Sequence, residues 1–127
     1  MLQLKESCLY VNDLEKARKF YGDILGLPVI REEDNRHVFF RAGNVVLLCF
    51  NPEVTKHENE LPPHYASGHQ HLAFEVDEEM YDFWKTKLQE KGVVIIHEQV
   101  WSKQFKSFYF NDYEQNVLEI VMKNMWD

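Results

Sequence analysis

Between Leu4 and Val11 the chain alternates, with Ser7, Leu9 and Val11 on one side and Glu6, Cys8 and Tyr10 on the other. A period of two is that of a strand with one face turned to a core. Asn12-Asp13 then offers a helix N-cap, and Leu14, Ala17, Phe20, Tyr21 and Ile24 follow at three- and four-residue steps, which predicts a helix that stops at Gly26. Three short strands are predicted over Pro28–Glu33, His37–Ala42 and Val45–Phe50, separated by turn signals at Asp34-Asn35 and Gly43-Asn44. The resulting order is β-α-β-β-β.

Asn51 to Gly68 breaks the pattern. It holds Pro52, Pro62 and Pro63 among polar residues, follows neither period, and reads as a linker or lid loop. The same order then returns: a strand over Gln70–Val76, a helix from about Glu78 to Lys91 carrying Met80, Phe83, Trp84 and Leu88, a stop at Gly92, and strands over Val93–Gln99, Phe105–Asn111 and Val117–Met122. The chain therefore reads as an internal repeat, with modules over about residues 1–51 and 69–127 joined by a linker over 52–68.

The repeat gives meaning to the exceptions. In the strand that opens the second module, Leu72, Phe74 and Val76 take one face and His71, Ala73 and Glu75 the other. In the last strand, Leu118, Ile120 and Met122 suit a helix-covered face, which leaves Val117, Glu119 and Val121 opposite. Glu119 is the anomaly, because a carboxylate between valines costs free energy unless it is exposed, paired or bound to a cation. Laying Val11 on Val76 matches Glu6 with His71, and laying Val45-Val46-Leu47 on Val117-Leu118-Glu119 matches Leu47 with Glu119.

Size and charge narrow the classes. A chain of 127 residues holds one domain with a real core. A formal net charge of −7, with no cluster of Lys and Arg, argues against nucleic acid or an anionic membrane as the main partner. Met1 to Val11 has no apolar run of signal-peptide or membrane-spanning length, so a cytoplasmic protein is expected. Cys8 and Cys49 lie in apolar strand contexts and are expected to be reduced and buried.

Several stretches together resemble the vicinal oxygen chelate superfamily, which includes glyoxalase I, extradiol dioxygenases, fosfomycin resistance enzymes and bleomycin resistance proteins. They are Val11-Asn12-Asp13-Leu14-Glu15-Lys16-Ala17-Arg18-Lys19-Phe20-Tyr21, Leu25-Gly26-Leu27, His71-Leu72-Ala73-Phe74-Glu75-Val76, and Phe108-Tyr109-Phe110-Asn111-Asp112 through Asn116-Val117-Leu118-Glu119. The resemblance implies a single α+β domain in which two βαβββ modules form a cupped mixed sheet, helices outside, around a divalent metal ion. It also implies a homodimer and a small-molecule substrate. Its usual ligands are a His or Gln on the first strand, a His on the first strand of the second module and a Glu on the last strand. Carried over, these fall on Glu6, His71 and Glu119. The chain departs from the family in having Glu6 at the first of these, and Leu47 where glyoxalase I has a further Glu. It also has Asp112-Tyr113-Glu114-Gln115-Asn116 where an Asp-Pro-x-Gly-Asn turn is usual.

Three ligands with a vacant side suit a catalytic ion. Two carboxylates and one imidazole do not choose among Zn, Fe, Mn, Ni and Co. Two negative ligands reduce Lewis acidity, which favours a chelated substrate with adjacent oxygens over activated water. Glu6 would then act as a displaced general base beside Glu119. His37, Phe39, Arg41 and Tyr109 are expected to face the cleft and bind substrate, Arg41 by its planar fork and Tyr109 from a position where extradiol dioxygenases carry a Tyr. His57, His64 and His69 lie in or beside the loop and receive no role. The expectation is a metal-dependent isomerase, lyase or dioxygenase. The alternative is a metal-independent, bleomycin-resistance-like protein that binds a drug or metabolite, whose acidity suits a cationic ligand. Fosfomycin modification ranks lower, for want of a recognisable set of thiol- or phosphonate-binding residues.

Overall fold

In the computed structural model, which describes residues 1–102 and 104–127, the alternating stretches pair into two mixed four-stranded sheets. Each sheet belongs to its own compact unit, Met1–Gly68 and His69–Asp127. In the first unit β1 (Glu6–Tyr10) is followed by α1 (Leu14–Ala17), which runs on as a π-helical turn over Arg18–Ile24. Then come β2 (Val29–Glu33), β3 (His37–Ala42), β4 (Val45–Phe50) and a short α2 (Pro52–Thr55). The sheet order is β1-β4-β3-β2, with β1 parallel to β4 and the other pairs antiparallel. A parallel pair needs a crossover, and the helix after β1 supplies it.

Asp13 starts that helix by accepting from the Lys16 backbone N–H at 3.0 Å. The helix then widens, the Leu25 N–H reaching the Phe20 carbonyl at 3.0 Å. In the widened turn the consecutive Phe20 and Tyr21 are both buried, and the Tyr21 ring meets Phe40 of β3 at 5.8 Å. Leu9, Val38, Phe40, Leu47 and Cys49 complete this core.

The second unit repeats the plan with β5 (His71–Val76), a 3₁₀ turn (Glu78–Met80), α3 (Tyr81–Glu90), β6 (His97–Val100), β7 (Lys106–Asn111) and β8 (Val117–Met122). Its order is β5-β8-β7-β6, again with the first pair parallel. Tyr81, Leu88, Phe108, Phe110, Leu118 and Ile120 are buried together. The buried Tyr81 hydroxyl donates to Glu98 at 2.7 Å, and Lys85 neutralises the same carboxylate from 2.9 Å. The α+β class and the strand–helix order are those expected.

Three local expectations change. The stretch read as pure linker carries α2, which Asn51 caps by accepting from the Glu53 N–H at 3.1 Å and which Pro52 opens. The strand expected from Val93 begins only at His97. Gly92, at φ 85°, closes α3, and the Val93 N–H is spent on the Leu88 carbonyl at 2.9 Å, so these residues finish the helix. Both cysteines are free as expected, yet only Cys49 is buried, Cys8 being half-exposed. Among the described residues no helix is long and apolar enough to cross a membrane.

The turn between β7 and β8 closes without the usual Pro and Gly. Asp112 Oδ1 accepts from the backbone N–H groups of Glu114 and Asn116, both at 2.9 Å, and Oδ2 accepts from Asn116 Nδ2 at 2.9 Å. Asn116 Oδ1 in turn accepts from the Gln70 N–H at 3.0 Å, which fixes the start of β5 against β8. Gln115 pays for the missing glycine by standing at φ 65°. A side chain in that region costs about 1–2 kcal/mol, part of which is returned by the extra freedom glycine has when unfolded. Gln115→Gly is therefore expected to raise the unfolding free energy by about 0.5 kcal/mol or more in urea titrations. That figure is before the loss of the exposed Asn111 Nδ2 to Gln115 Oε1 bond of 3.1 Å, which works against it. A loss of stability would show that this bond, and not the backbone, governs the turn.

Candidate functional site

The second sheet gathers polar groups on one face because of its register. Ala73 pairs with Glu119, Glu119 with Tyr109 and Tyr109 with His97, so the four form a row across β5, β8, β7 and β6. His71, two residues before Ala73, stands on the same face, in the neighbouring row with Val117 and Asn111.

Glu119 is only 5% exposed, whereas the His71 side chain is half-exposed. His71 Nε2 lies 3.3 Å from Glu119 Oε1. Its other nitrogen, Nδ1, lies 2.8 Å from the Val117 carbonyl oxygen. A carbonyl can only accept, so Nδ1 carries a proton and the ring turns Nε2 toward the carboxylate. With a second proton the ring is a cationic partner for Glu119. Without it, a lone pair and a carboxylate face one another and invite a cation between them.

Tyr109 adds a donor to the group. Its ring stacks beside His71 at 6.2 Å and 28°, and His97 flanks it on the other side at 5.8 Å. Burial, and then the charge and hydrogen bonding of Glu119, push the Tyr109 phenol above its ordinary value, so it is a protonated donor at neutral pH. His97 itself meets Gln99 Oε1 through Nε2 at 2.9 Å. Asn111 contributes a buried Oδ1 with no partner among the described residues. Neither His97 nor Asn111 stands out in sequence, although the alternation that places Tyr109 on this face places Asn111 there too.

The first sheet supplies the counterpart. Glu6 pairs with Val46 as His71 pairs with Val117, and the next row runs Cys8, Leu48, Phe39 and Arg31. Leu48 and Phe39 therefore stand where the second unit has Glu119 and Tyr109. This corrects the sequence match of Leu47 with Glu119. Leu47 pairs with Phe40, and both are buried on the face under the helix. The error comes from the connecting loop, which is Gly43-Asn44 in one unit and Asp112–Asn116 in the other. Aligning the residues after the loop shifts the ladder by one place. The position is apolar in either register, so a fourth carboxylate is missing as expected.

The remaining candidates lie in the first unit. Glu6 and Arg41 are exposed, Phe39 is half-buried and His37 is buried. The His37 ring stacks on Phe39 at 4.1 Å, and its Nδ1 lies 2.6 Å from Arg36 Nη1. Burial first, and then the Arg36 charge, hold the His37 imidazole below its ordinary value.

His71 Nε2 and Glu119 Oε1 fit a cation. Two donors bound at about 2.0–2.2 Å to one ion stand roughly 3 Å apart, and a ligating His commonly gives its other N–H to a backbone carbonyl. Among the described residues no group of three or more His, Cys, Asp or Glu side chains is placed to hold a metal ion.

A family model described as the Glyoxalase/Bleomycin resistance protein/Dioxygenase superfamily matches residues 3–120. The metallothiol transferase FosB of Staphylococcus haemolyticus is 28% identical over 118 residues, which is 92% of this chain and 81% of that protein. The glutathione transferase FosA of Serratia marcescens is 30% identical over 121 residues, 94% of this chain and 81% of that protein. The crystal structure of lactoylglutathione lyase from Agrobacterium tumefaciens superposes with a TM-score of 0.92 at 30% identity, covering 98% of this chain and 96% of that one.

The lowered His37 value makes stability depend on pH with a definite sign. Above about pH 6.5, the ordinary imidazole value, folded and unfolded chains both carry a neutral His37 and its contribution is whole. As pH falls below that value toward the folded one, the unfolded chain takes up a proton that the folded chain refuses, and stability is lost. Urea titrations at pH 7.5 and 5.5 should therefore show a smaller acid loss in His37→Gln than in the wild type. Equal losses would mean that His37 is not the group refusing the proton.

Proposed function

The chain belongs to the Glyoxalase/Bleomycin resistance protein/Dioxygenase superfamily, and on that footing we propose that it is a divalent-metal-dependent enzyme acting on a small molecule with adjacent oxygens. The observation that carries this reading is the approach of His71 Nε2 to Glu119 Oε1 at 3.3 Å, with the ring held by the Val117 carbonyl. Glu6, which has the matching register place in the first unit, is the third donor in this reading. Zn, Fe, Mn, Ni and Co all suit two carboxylates and an imidazole. When bound, the ion supplies Lewis acidity toward the two substrate oxygens.

The protein's own groups do the rest. Tyr109, kept protonated, donates to a substrate oxygen beside Glu119. Glu6 takes up a proton as general base once substrate displaces it. The relatives at 28–30% identity are named for thiol and glutathione chemistry. That favours a thiol as co-substrate, or a thiol adduct as substrate, over ring-cleaving oxygenation.

A second reading is sequestration of a drug or metabolite without metal. It is favoured by the lack of a three-donor group among the described residues and by the net charge of −7, which suits a cationic ligand. One experiment separates the two. Chelator-stripped protein titrated with Co²⁺ is expected to take up about one ion per chain, with His71→Ala and Glu119→Ala each weakening it by about 100-fold or more and Glu6→Gln by less. No uptake by the wild type, together with bleomycin binding that persists in chelator, would replace the enzyme by the binding protein.

A further inference from the structure

The first unit contains a buried donor that the reading above does not use. His37 is 8% exposed, and Arg36 Nη1 sits 2.6 Å from its Nδ1. A guanidinium only donates, so Nδ1 accepts and the proton of the neutral ring is on Nε2. That N–H is buried, and no acceptor among the described residues lies within hydrogen-bond distance of it. A buried donor left in this way is unfavourable unless something completes it.

The surroundings hold the donor in place. Arg36 spends its other nitrogens on Glu58, Nε to Oε1 at 2.6 Å and Nη2 to Oε2 at 2.9 Å, so the tautomer of His37 is set by a guanidinium that is itself clamped. Phe39 stacks on the imidazole and Phe50 meets its edge at 6.1 Å. The segment from Asn51 to His64 is strapped across this corner. Glu58 grips Arg36, the buried Thr55 hydroxyl donates to the His64 carbonyl, and the His64 ring lies 5.5 Å from Phe50.

We propose that His37 Nε2–H is the hydrogen-bond donor of a small-ligand site in the first unit, roofed by the Asn51–His64 strap, whose ligand is a neutral molecule bearing a carbonyl oxygen next to a flat apolar group. The carbonyl matches a neutral donor, and the flat group matches the half-buried ring of Phe39. An anion is disfavoured. Arg36 is already neutralised by Glu58, and Glu33 Oε2 lies 3.9 Å from the same ring. Entry requires the side chains over Nε2 to part while Glu58 keeps its hold on Arg36, because that nitrogen is wholly covered. The inference extends the view of His37 and Phe39 as ligand-facing residues, and it stands or falls independently of metal binding at His71 and Glu119.

Benzamide is the probe, with benzoate as its charged counterpart. In protein labelled with ¹⁵N-histidine, the His37 resonances should report the Nε2–H tautomer, and benzamide should shift that N–H downfield. Glu58→Gln, which keeps an oxygen to accept from Arg36 but weakens the hold of the strap, should bind benzamide several-fold more tightly while the His37 resonances still report Nε2–H. His37→Phe, which keeps the stacking and loses the donor, should bind it about tenfold more weakly. The proposal is overturned by an Nδ1–H tautomer, by benzoate binding as tightly as benzamide, or by an Nε2–H that ignores benzamide and cross-relaxes with a trapped water only. Because Glu58→Gln and the tautomer reading leave His37 intact, a misfolded His37→Phe would not shield the idea from failure.

Discussion

The second unit is arranged around the need to keep one buried carboxylate in company. Glu119 stands between Val117 and Val121 on a central strand, almost without solvent. An ionised carboxylate there is untenable alone. Its partners come from the strands on either side, His71 on β5 and Tyr109 on β7. That supply depends on register, since a slip of one residue would turn each side chain to the opposite face. The Asp112–Asn116 network guards the register, reaching across to the Gln70 N–H immediately before His71. A pair with one buried and one half-exposed member gives a fold little that well-packed apolar residues would not give.

The duplicated plan is therefore symmetric in scaffold and asymmetric in chemistry. Row for row, the first unit presents Glu6, Leu48, Phe39 and Arg31 where the second presents His71, Glu119, Tyr109 and His97. The positions under the helix keep their character, Phe40 and Leu47 answering to Phe110 and Leu118. On the opposite face the first unit has traded carboxylate and phenol for an aliphatic and a plain aromatic side chain. It carries its own polar centre elsewhere, in the Glu58, Arg36 and His37 chain.

Much of this was legible in the sequence because period and punctuation are local properties. The strands over His37–Ala42, Val45–Phe50 and Val117–Met122 were readable to the residue, each being a short alternating or apolar run between turn formers. Glu119 announced itself by polarity among valines. What failed was information carried by loops and by partners. The Leu47 match followed the ends of two loops of unequal length, whereas the ladder pairs Leu48 in that place. Val93–Ile96 looked like strand because its residues are β-branched, but the closing turn of α3 claims the Val93 N–H, and it is the Ile96 N–H that first reaches β7, at the Tyr109 carbonyl. His97 and the Arg36–His37 contact were hidden because they depend on cross-strand pairing and side-chain reach.

The hold on His71 comes from main chain. The acceptor for Nδ1 is the carbonyl of Val117, two residues ahead of the carboxylate that Nε2 faces. Every amino acid that could be written at position 117 carries that same oxygen, so no codon change there deletes it. Laboratory evolution could exchange the imidazole, the carboxylate or the phenol one at a time. The aim of any histidine kept at 71 would still be inherited from the backbone.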